Sequence, residues 1–415
     1  MTTATGSVQF LPYGRQHLAE EDIQAVVKVL RSEWWTQGPA VNEFEQKLAV
    51  RVGTVEAVAC ANGTAALHLT MLSLGVGPGD IVVTSANSFL ASANCARYVG
   101  ADVRFVDINA STGLMDVDQL ESVLAADADH RIKAVVPVHF AGQPLDIPRL
   151  YRIVHAHGAF VVSDSCHALG ATYKVNGSTY SLGSGAHNDA SVFSFHPVKH
   201  VATGEGGAIT TDNHELAERL RSFRNHGMQK EDFTNDQMAT SATGELNPWY
   251  YEMQEMGYNY RLTDLQATLG VSQLGRLDRS VKRRNELAHV YHRLIAERFD
   301  RTLVCPLEQR PHVTNAYHLF VVRIDFERYQ IERASVMMQL RRHGIGTQVH
   351  YIPIYLQPYY RRLYDGHPGD LPQTDRYYTQ ALSLPMYPNL NESDCERVVD
   401  QLDRILKRET DGHEL

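Results

Sequence analysis

Cysteine is scarce in this 415-residue chain. The five present (Cys60, Cys95, Cys166, Cys305, Cys395) are odd in number, scattered, and never form a CxxC pair. A disulfide framework or a structural zinc site is therefore not expected, and a reducing cytoplasm fits. Long apolar runs are also missing; none approaches the ~20 residues that cross a bilayer. The start, MTTATGSVQF, has neither a basic n-region nor an apolar h-region, so export is not indicated. Positive charge is outweighed, with 39 Lys and Arg against 48 Asp and Glu for a net charge of −9. That argues against a general nucleic-acid binder and leaves room only for a local basic cleft that takes phosphates. No GxGxxG follows an early strand with an acidic residue about 20 positions on, which disfavours a dinucleotide-binding dehydrogenase. Internal repeats and low-complexity tracts are absent too.

What remains is an ordinary globular composition, 43% hydrophobic and 21% charged. Helical spacing runs through Leu18–Arg31 and Asn42–Val52, the second ending near Gly53. Short apolar, β-rich runs then recur at Ala57–Cys60, Ile81–Thr84, Val103–Val106, Ala134–Val138, Ala159–Ser163, Ala190–Phe195 and Ala208–Thr211. Helical segments such as Ala65–Leu74, Val117–Ala125 and Ile147–Ala156 separate several of them. This alternation predicts an α/β fold with a mainly parallel sheet covered on both faces. A helix over Glu215–Arg224 leads to a polar stretch, Gln229–Leu246, that reads as a flexible loop. Long helices follow over Leu262–Leu277 and Lys282–Arg298, then a mixture of strands (His318–Ile324, Gly346–Val349) and helices (Ala334–His343, Glu392–Lys407). We divide the chain into a large unit over residues 1–260, with its N-terminal helical segment, and a smaller C-terminal α+β unit over 261–415.

In an open parallel sheet, ligands sit at the carboxyl ends of the strands. After Ala57–Cys60, the small-residue turn Ala61-Asn62-Gly63-Thr64-Ala65 opens a helix whose first amides fit an anion, or an ordinary cap by Asn62 or Thr64. Phe89 follows the next strand, either as core or as a face on which a flat ring stacks. Asp164 closes a buried strand; it suits a helix cap, a structural ion pair, or a protonated heterocyclic nitrogen. Beyond Ser194 and Phe195 comes Lys199, then the turn Thr203-Gly204-Glu205-Gly206-Gly207. Most lysines are solvated, but one held past a buried strand attacks carbonyls once its pKa falls. Ser194 could donate to a phosphate. His196 and His200 are four apart, but the intervening proline and the missing third ligand speak against a metal. An anion cradle, an aromatic face, an acid and a lysine are together the parts that pyridoxal phosphate (PLP) chemistry requires.

The run Phe193-Ser194-Phe195-His196-Pro197-Val198-Lys199 with Gly204-Glu205-Gly206-Gly207 resembles the sugar aminotransferases of the DegT–StrS family, which are fold-type I PLP enzymes. The likeness extends from Pro12-Tyr13-Gly14-Arg15-Gln16 and Trp35-Thr36-Gln37-Gly38-Pro39 through His139–Pro144 and Gly257–Asp264 to Val349-His350-Tyr351-Ile352-Pro353 and Ser383-Leu384-Pro385-Met386. Pro248–Met253 is closest to the subgroup that forms UDP-4-amino-4,6-dideoxy-N-acetyl-β-L-altrosamine for pseudaminic acid.

The resemblance implies that Lys199 carries the cofactor covalently and acts as catalyst. It implies that Asp164 pairs with the ring nitrogen, His167 lies near the ring hydroxyl and Phe89 stacks on the ring. Gly63, Thr64 and Ala65 amides and the Ser194 hydroxyl would hold the phosphate. Asn259 would reach the phosphate of a neighbouring subunit, which implies a homodimer with shared sites. Tyr13, Thr36, Tyr317, His350 and Tyr351 fall in segments that contact a nucleotide-sugar. L-glutamate would donate the amine to a nucleotide-linked 4-keto-6-deoxy sugar. The alternatives are another keto sugar, such as a GDP-linked one, or a PLP-binding regulator without catalysis. Two departures stand out: Ser163-Asp164-Ser165-Cys166-His167 replaces Glu-Asp-Ala-Ala-His, and His200-Val201-Ala202 replaces Pro-Ile-Thr.

Overall fold

Ile81-Val82-Val83-Thr84-Ser85 is buried at every position, as a strand covered on both faces must be. The computed structural model describes residues 9–411, so most of the N-terminal stretch read above for a leader lies outside the described residues. Seven strands form the central sheet: β1 (Glu56–Cys60), β2 (Ile81–Ser85), β3 (Asp102–Val106), β4 (Ile132–Val136), β5 (Phe160–Asp164), β6 (Ala190–Ser194) and β7 (Gly207–Thr211). In the sheet they run β1-β7-β6-β5-β4-β2-β3. β2 to β6 pair in parallel, and β7 alone runs against its neighbours. The carboxyl ends of β1, β2, β5 and β6 consequently share one edge.

Residue parity sorts the two cores. Ala57, Ala59, Ile81, Val83, Val135, Val161 and Phe193 point to one face. There they meet α2 (Pro39–Val52) through Phe44 and Leu48, together with Leu120 and Leu150 from the helices Val117–Ala125 and Ile147–His157. Val58, Cys60, Val82, Val136, Val162 and Val192 point the other way. They pack on α3 (Gly63–Ser73) and on the helices Ala91–Tyr98 and His214–Arg224. This alternation is the period-two geometry of a strand. A third core is built from the 22-residue helix Leu277–Arg298, the strands Phe320–Ile324 and Ala381–Leu384, and the helix Glu392–Asp411.

Three details differ from the sequence reading. Thr172–Val175 and Ser178–Ser181 form a hairpin turned by Asn176 (φ 48°) and Gly177 (φ 84°), and Val313–Thr314 joins it. The Asn-Gly pair is a strong hairpin signal that short flanks of mixed burial masked. Gly346–Val349 is not a strand; single bridges at Ile345 and Gln348 take its place. The stretch Gln229–Leu246 holds a paired Met228–Gln229 and a short helix, Asp236–Ala239. Its organiser is Glu252, whose carboxylate accepts the Thr234 and Asn235 amides at 2.7 Å each.

Candidate active site

Four strand ends converge. β1 gives way to α3 through Asn62, whose Oδ1 accepts the Ala65 amide at 2.8 Å. The cap therefore takes the Ala65 amide, which the sequence reading had directed at an anion. Gly63 and Thr64, at the first turn, remain without intrahelical acceptors. A side chain on Gly63 would place its Cβ 3.0 Å from Ser194 Cβ and 3.3 Å from Cys166 Sγ. The helix start thus lies against the ends of β5 and β6, and glycine is what permits that approach.

Asp164, at the end of β5, is 6% exposed. Its Oδ2 accepts the Ser92 hydroxyl at 2.7 Å and its Oδ1 the Cys166 amide at 3.1 Å. Ser92 is in turn 2.6 Å from Ser88 Oγ. Among the described residues no cationic side chain forms an ion pair with Asp164, so a buried carboxylate stands with two neutral donors. That arrangement is costly unless a cation completes it.

Lys199 follows β6 on a turn closed by Phe195 N to Gly206 O and Thr203 N to Phe195 O. Its Nζ lies 3.4 Å from His318 Nε2. Burial lowers the Lys199 pKa, against the opposing pull of Cys166 and Asp164, and so favours the nucleophilic amine. Around it stand four buried histidines. His167 packs against His318 with ring centres 4.4 Å apart and the planes tilted by 41°. His167 Nε2 is 3.1 Å from the Tyr351 hydroxyl, and its Nδ1 is buried without a partner. Burial, with Lys199 adding to it, holds His167 and His318 well below the ordinary imidazole range. His200 is held low by burial first and by Arg284 next, and its Nε2 reaches Ala316 O at 2.8 Å. His350, held to Ser383 Oγ at 2.8 Å, is pushed down to about 3 by burial. Burial also raises the Tyr351 phenol well above its usual range.

The structure thus groups Lys199, Asp164, His167, Ser194, Gly63, His350 and Tyr351. Tyr13 joins through its ring, 5.4 Å from that of His350. Phe89 is 56% exposed, with its ring 6.2 Å from Tyr351. Tyr317 is buried, and its carbonyl accepts from Arg284 at 2.9 Å. Thr36 and Asn259 are exposed and bridge Thr263 and Asn225 through main chain. Within one chain no hydrogen bond or ring contact joins either of them to the Lys199 cluster among the described residues. Sequence reasoning missed Ser92 and His318, each 72 or more positions from its partner. No group of three or more His, Cys, Asp or Glu side chains is placed to hold a metal among the described residues.

A sequence profile of the DegT/DnrJ/EryC1/StrS aminotransferase family matches residues 16–403. The chain is 38% identical over 399 residues to the spore coat polysaccharide biosynthesis protein SpsC of Bacillus subtilis, spanning 96% of this chain and 97% of that one. Among solved structures it resembles Helicobacter pylori PseC, an aminotransferase involved in the biosynthesis of pseudoaminic acid. The TM-score is 0.84 at 30% identity, over 96% of this chain and all of that one. The PLP-form of the putative sugar aminotransferase Spr1654 from Streptococcus pneumoniae gives a TM-score of 0.83 at 29% identity, over 96% and 99% of the two chains.

The residues present fit PLP. A buried carboxylate lacking a cation suits a protonated ring nitrogen, and the uncapped amides beside Ser194 suit a phosphate. The depressed amine of Lys199 suits a carbonyl.

Proposed function

The chain belongs to the DegT/DnrJ/EryC1/StrS aminotransferase family, and from that premise we propose which sugar this PLP-dependent sugar aminotransferase aminates and how its residues divide the work. The substrate is a nucleotide-linked 4-keto-6-deoxy sugar, with L-glutamate as the amine donor. The product is UDP-4-amino-4,6-dideoxy-N-acetyl-β-L-altrosamine. Supporting the sugar is the likeness to PseC together with the Pro248–Met253 segment; supporting the chemistry is one observation, the buried acid of β5 facing the same strand-end cluster as the Lys199 amine.

Bound in this cluster, PLP supplies a carbonyl that exchanges amines and a cationic ring that accepts an electron pair. Asp164, oriented by Ser92, would hold a protonated ring nitrogen. Gly63 and Thr64 amides with Ser194 would hold the phosphate, Phe89 would cover the ring and His167 would neighbour its hydroxyl. Lys199 Nζ, whose cation burial disfavours, would accept the proton lost from the α-carbon of the amine donor and would deliver a proton to the keto carbon of the sugar as that carbon gains its amine. His318, with its Nε2 3.4 Å from that amine, limits where it swings. The neutral histidines keep further positive charge away from Lys199, which preserves its basicity-driven role without repelling a cationic ring. Tyr13, Thr36, Tyr317, His350 and Tyr351 line the sugar side.

Two copies share the sites in this reading, with Asn259 serving the phosphate of the partner, and the enzyme works in the cytoplasm. A cofactor-binding unit over 1–260 and a smaller unit over 261–415 belong to the same proposal.

The test is an absorption spectrum of purified holoenzyme before and after L-glutamate, followed by a panel of UDP-, GDP- and dTDP-linked keto sugars. The wild type is expected to change spectrum with glutamate and to turn over the UDP sugar best. Lys199→Ala is expected to lose the long-wavelength band and turnover; retention of both would exclude the role of Lys199. A preference for the GDP sugar would replace the substrate, and PLP bound without any response to glutamate would favour a regulator.

A further inference from the structure

A cavity of about 520 Å³ opens on Lys199 and His200. Its walls are the segment Arg15–His17, the region from Gln273 into the first turns of the helix Leu277–Arg298, and Pro388–Asn389. Six arginine and lysine side chains besides Lys199 line it. Some of that charge is already matched: Arg276 pairs with Asp22, and Arg283 with Glu286 at 3.1 Å. Glu286 is the one acidic side chain among the lining residues. Arg15, Arg279 and Lys282 are exposed, and among the described residues their side chains make neither hydrogen bond nor ion pair. Arg279 and Lys282 are three apart on one helix, so they rise from the same face.

A second observation is independent of that rim. Arg284 is 1% exposed and has no carboxylate partner. It donates to the carbonyls of Tyr317 at 2.9 Å and Met386 at 3.0 Å, and its Nε has no acceptor. A guanidinium stripped of water and paired only with dipoles is stabilised by an anion in the space it lines. The volume is of the size that sugar-nucleotide ligands occupy, and it adjoins the reacting amine.

We propose that this cavity receives the diphosphate arm of the acceptor, with Arg279, Lys282 and Arg15 as its specificity-determining contacts and Arg284 as a fixed positive floor. The inference rests on the preceding reading that the acceptor is nucleotide-linked, and it adds that phosphate charge, read by these side chains, selects it. The amino donor carries carboxylates but no phosphate, so the two half-reactions separate the two sources of anion.

The test compares holoenzyme with the double variant Arg279→Ser, Lys282→Ser, using UDP and inorganic pyrophosphate as probes in titration calorimetry. Affinity for both probes is expected to fall by about ten- to a hundredfold per charge removed. The salt dependence of wild-type binding is expected to flatten in the variant. The spectral half-reaction with L-glutamate serves as the internal comparison and is expected to keep its rate. Charge-conserving Arg279→Lys with Lys282→Arg should restore most of the affinity, which separates lost charge from a damaged helix. Unchanged probe binding in the serine variant would overturn the proposal. So would a glutamate half-reaction that slows as much as probe binding weakens, because the cations would then serve the donor. If no keto sugar nucleotide is aminated while UDP still binds in this charge-dependent way, the acceptor reading fails and the diphosphate site stands.

Discussion

Lowering the pH from 7 to 5.5 should destabilise this protein far more than its acidic composition suggests. Six histidines are buried, and burial holds five of them far below the ordinary imidazole range: His139, His167, His200, His318 and His350. Two of them, His139 and His350, are pushed down to about 3. In the unfolded chain each returns to about 6.5 and takes up a proton as the pH falls. The folded state cannot follow, so stability present above the unfolded value is lost as the pH drops through it. Per histidine the loss between pH 7 and 5.5 is about 1.2 kcal/mol, and for five about 6 kcal/mol. With an unfolding entropy of roughly 2.1 cal/mol/K per residue, that lowers the melting temperature by about 7 °C. The carboxylates held low in the fold, such as Asp22 and Asp127, act only at lower pH, so this window isolates the imidazoles. Denaturant unfolding at closely spaced pH values reads the proton uptake directly as the slope of stability against pH. Uptake of about four to five protons at pH 5.5 is expected. Uptake of about one or fewer would mean that these histidines are charged in the folded protein, and the neutral surroundings assigned to Lys199 would be wrong.

Two further outcomes test the cradle and the packing behind it. Gly63→Ala puts a methyl against Ser194 and Cys166, so the helix start must retreat; PLP retained after dialysis should fall about tenfold or more while the far-ultraviolet spectrum holds, and full retention would mean the cradle lies elsewhere. Phe44 is fully buried, edge-on to Phe195 at 5.1 Å, so Phe44→Ala should cost about 3–5 kcal/mol in denaturant unfolding and loosen the turn that follows Phe195; a cost under about 1 kcal/mol would show that this core face collapses around the gap.

The sheet was legible because burial on both faces demands apolar runs, and Ile81–Ser85 or Ala190–Ser194 can satisfy little else. What stayed hidden was local structure that burial does not mark. The hairpin around Asn176-Gly177 has four-residue flanks of mixed burial, too short to show a clear alternation, and the turn pair was its strongest signal. Gly346–Val349 looked like a strand but sits between Leu11 and Ser383 with one bridge to each neighbourhood, too little to extend a ladder. The reacting groups divide in the same way. Asp164, Ser194 and Lys199 follow strands directly, so chain order alone places them at one edge. His318 does not follow any strand of that sheet. It precedes Phe320–Ile324, and its position depends on how that strand registers against Ala381–Leu384 and on Arg284 gripping the carbonyls of Tyr317 and Met386. Ser92 reaches Asp164 from the first turn of a helix that carries no polar motif of its own. Both are single polar side chains whose partner lies in another element, and periodicity reports an element's face, never its partner. The second layer around the amine is therefore a property of tertiary register. It follows that replacements outside any strand-end motif, at Ser92 or His318, can alter this chemistry while leaving every recognisable motif intact.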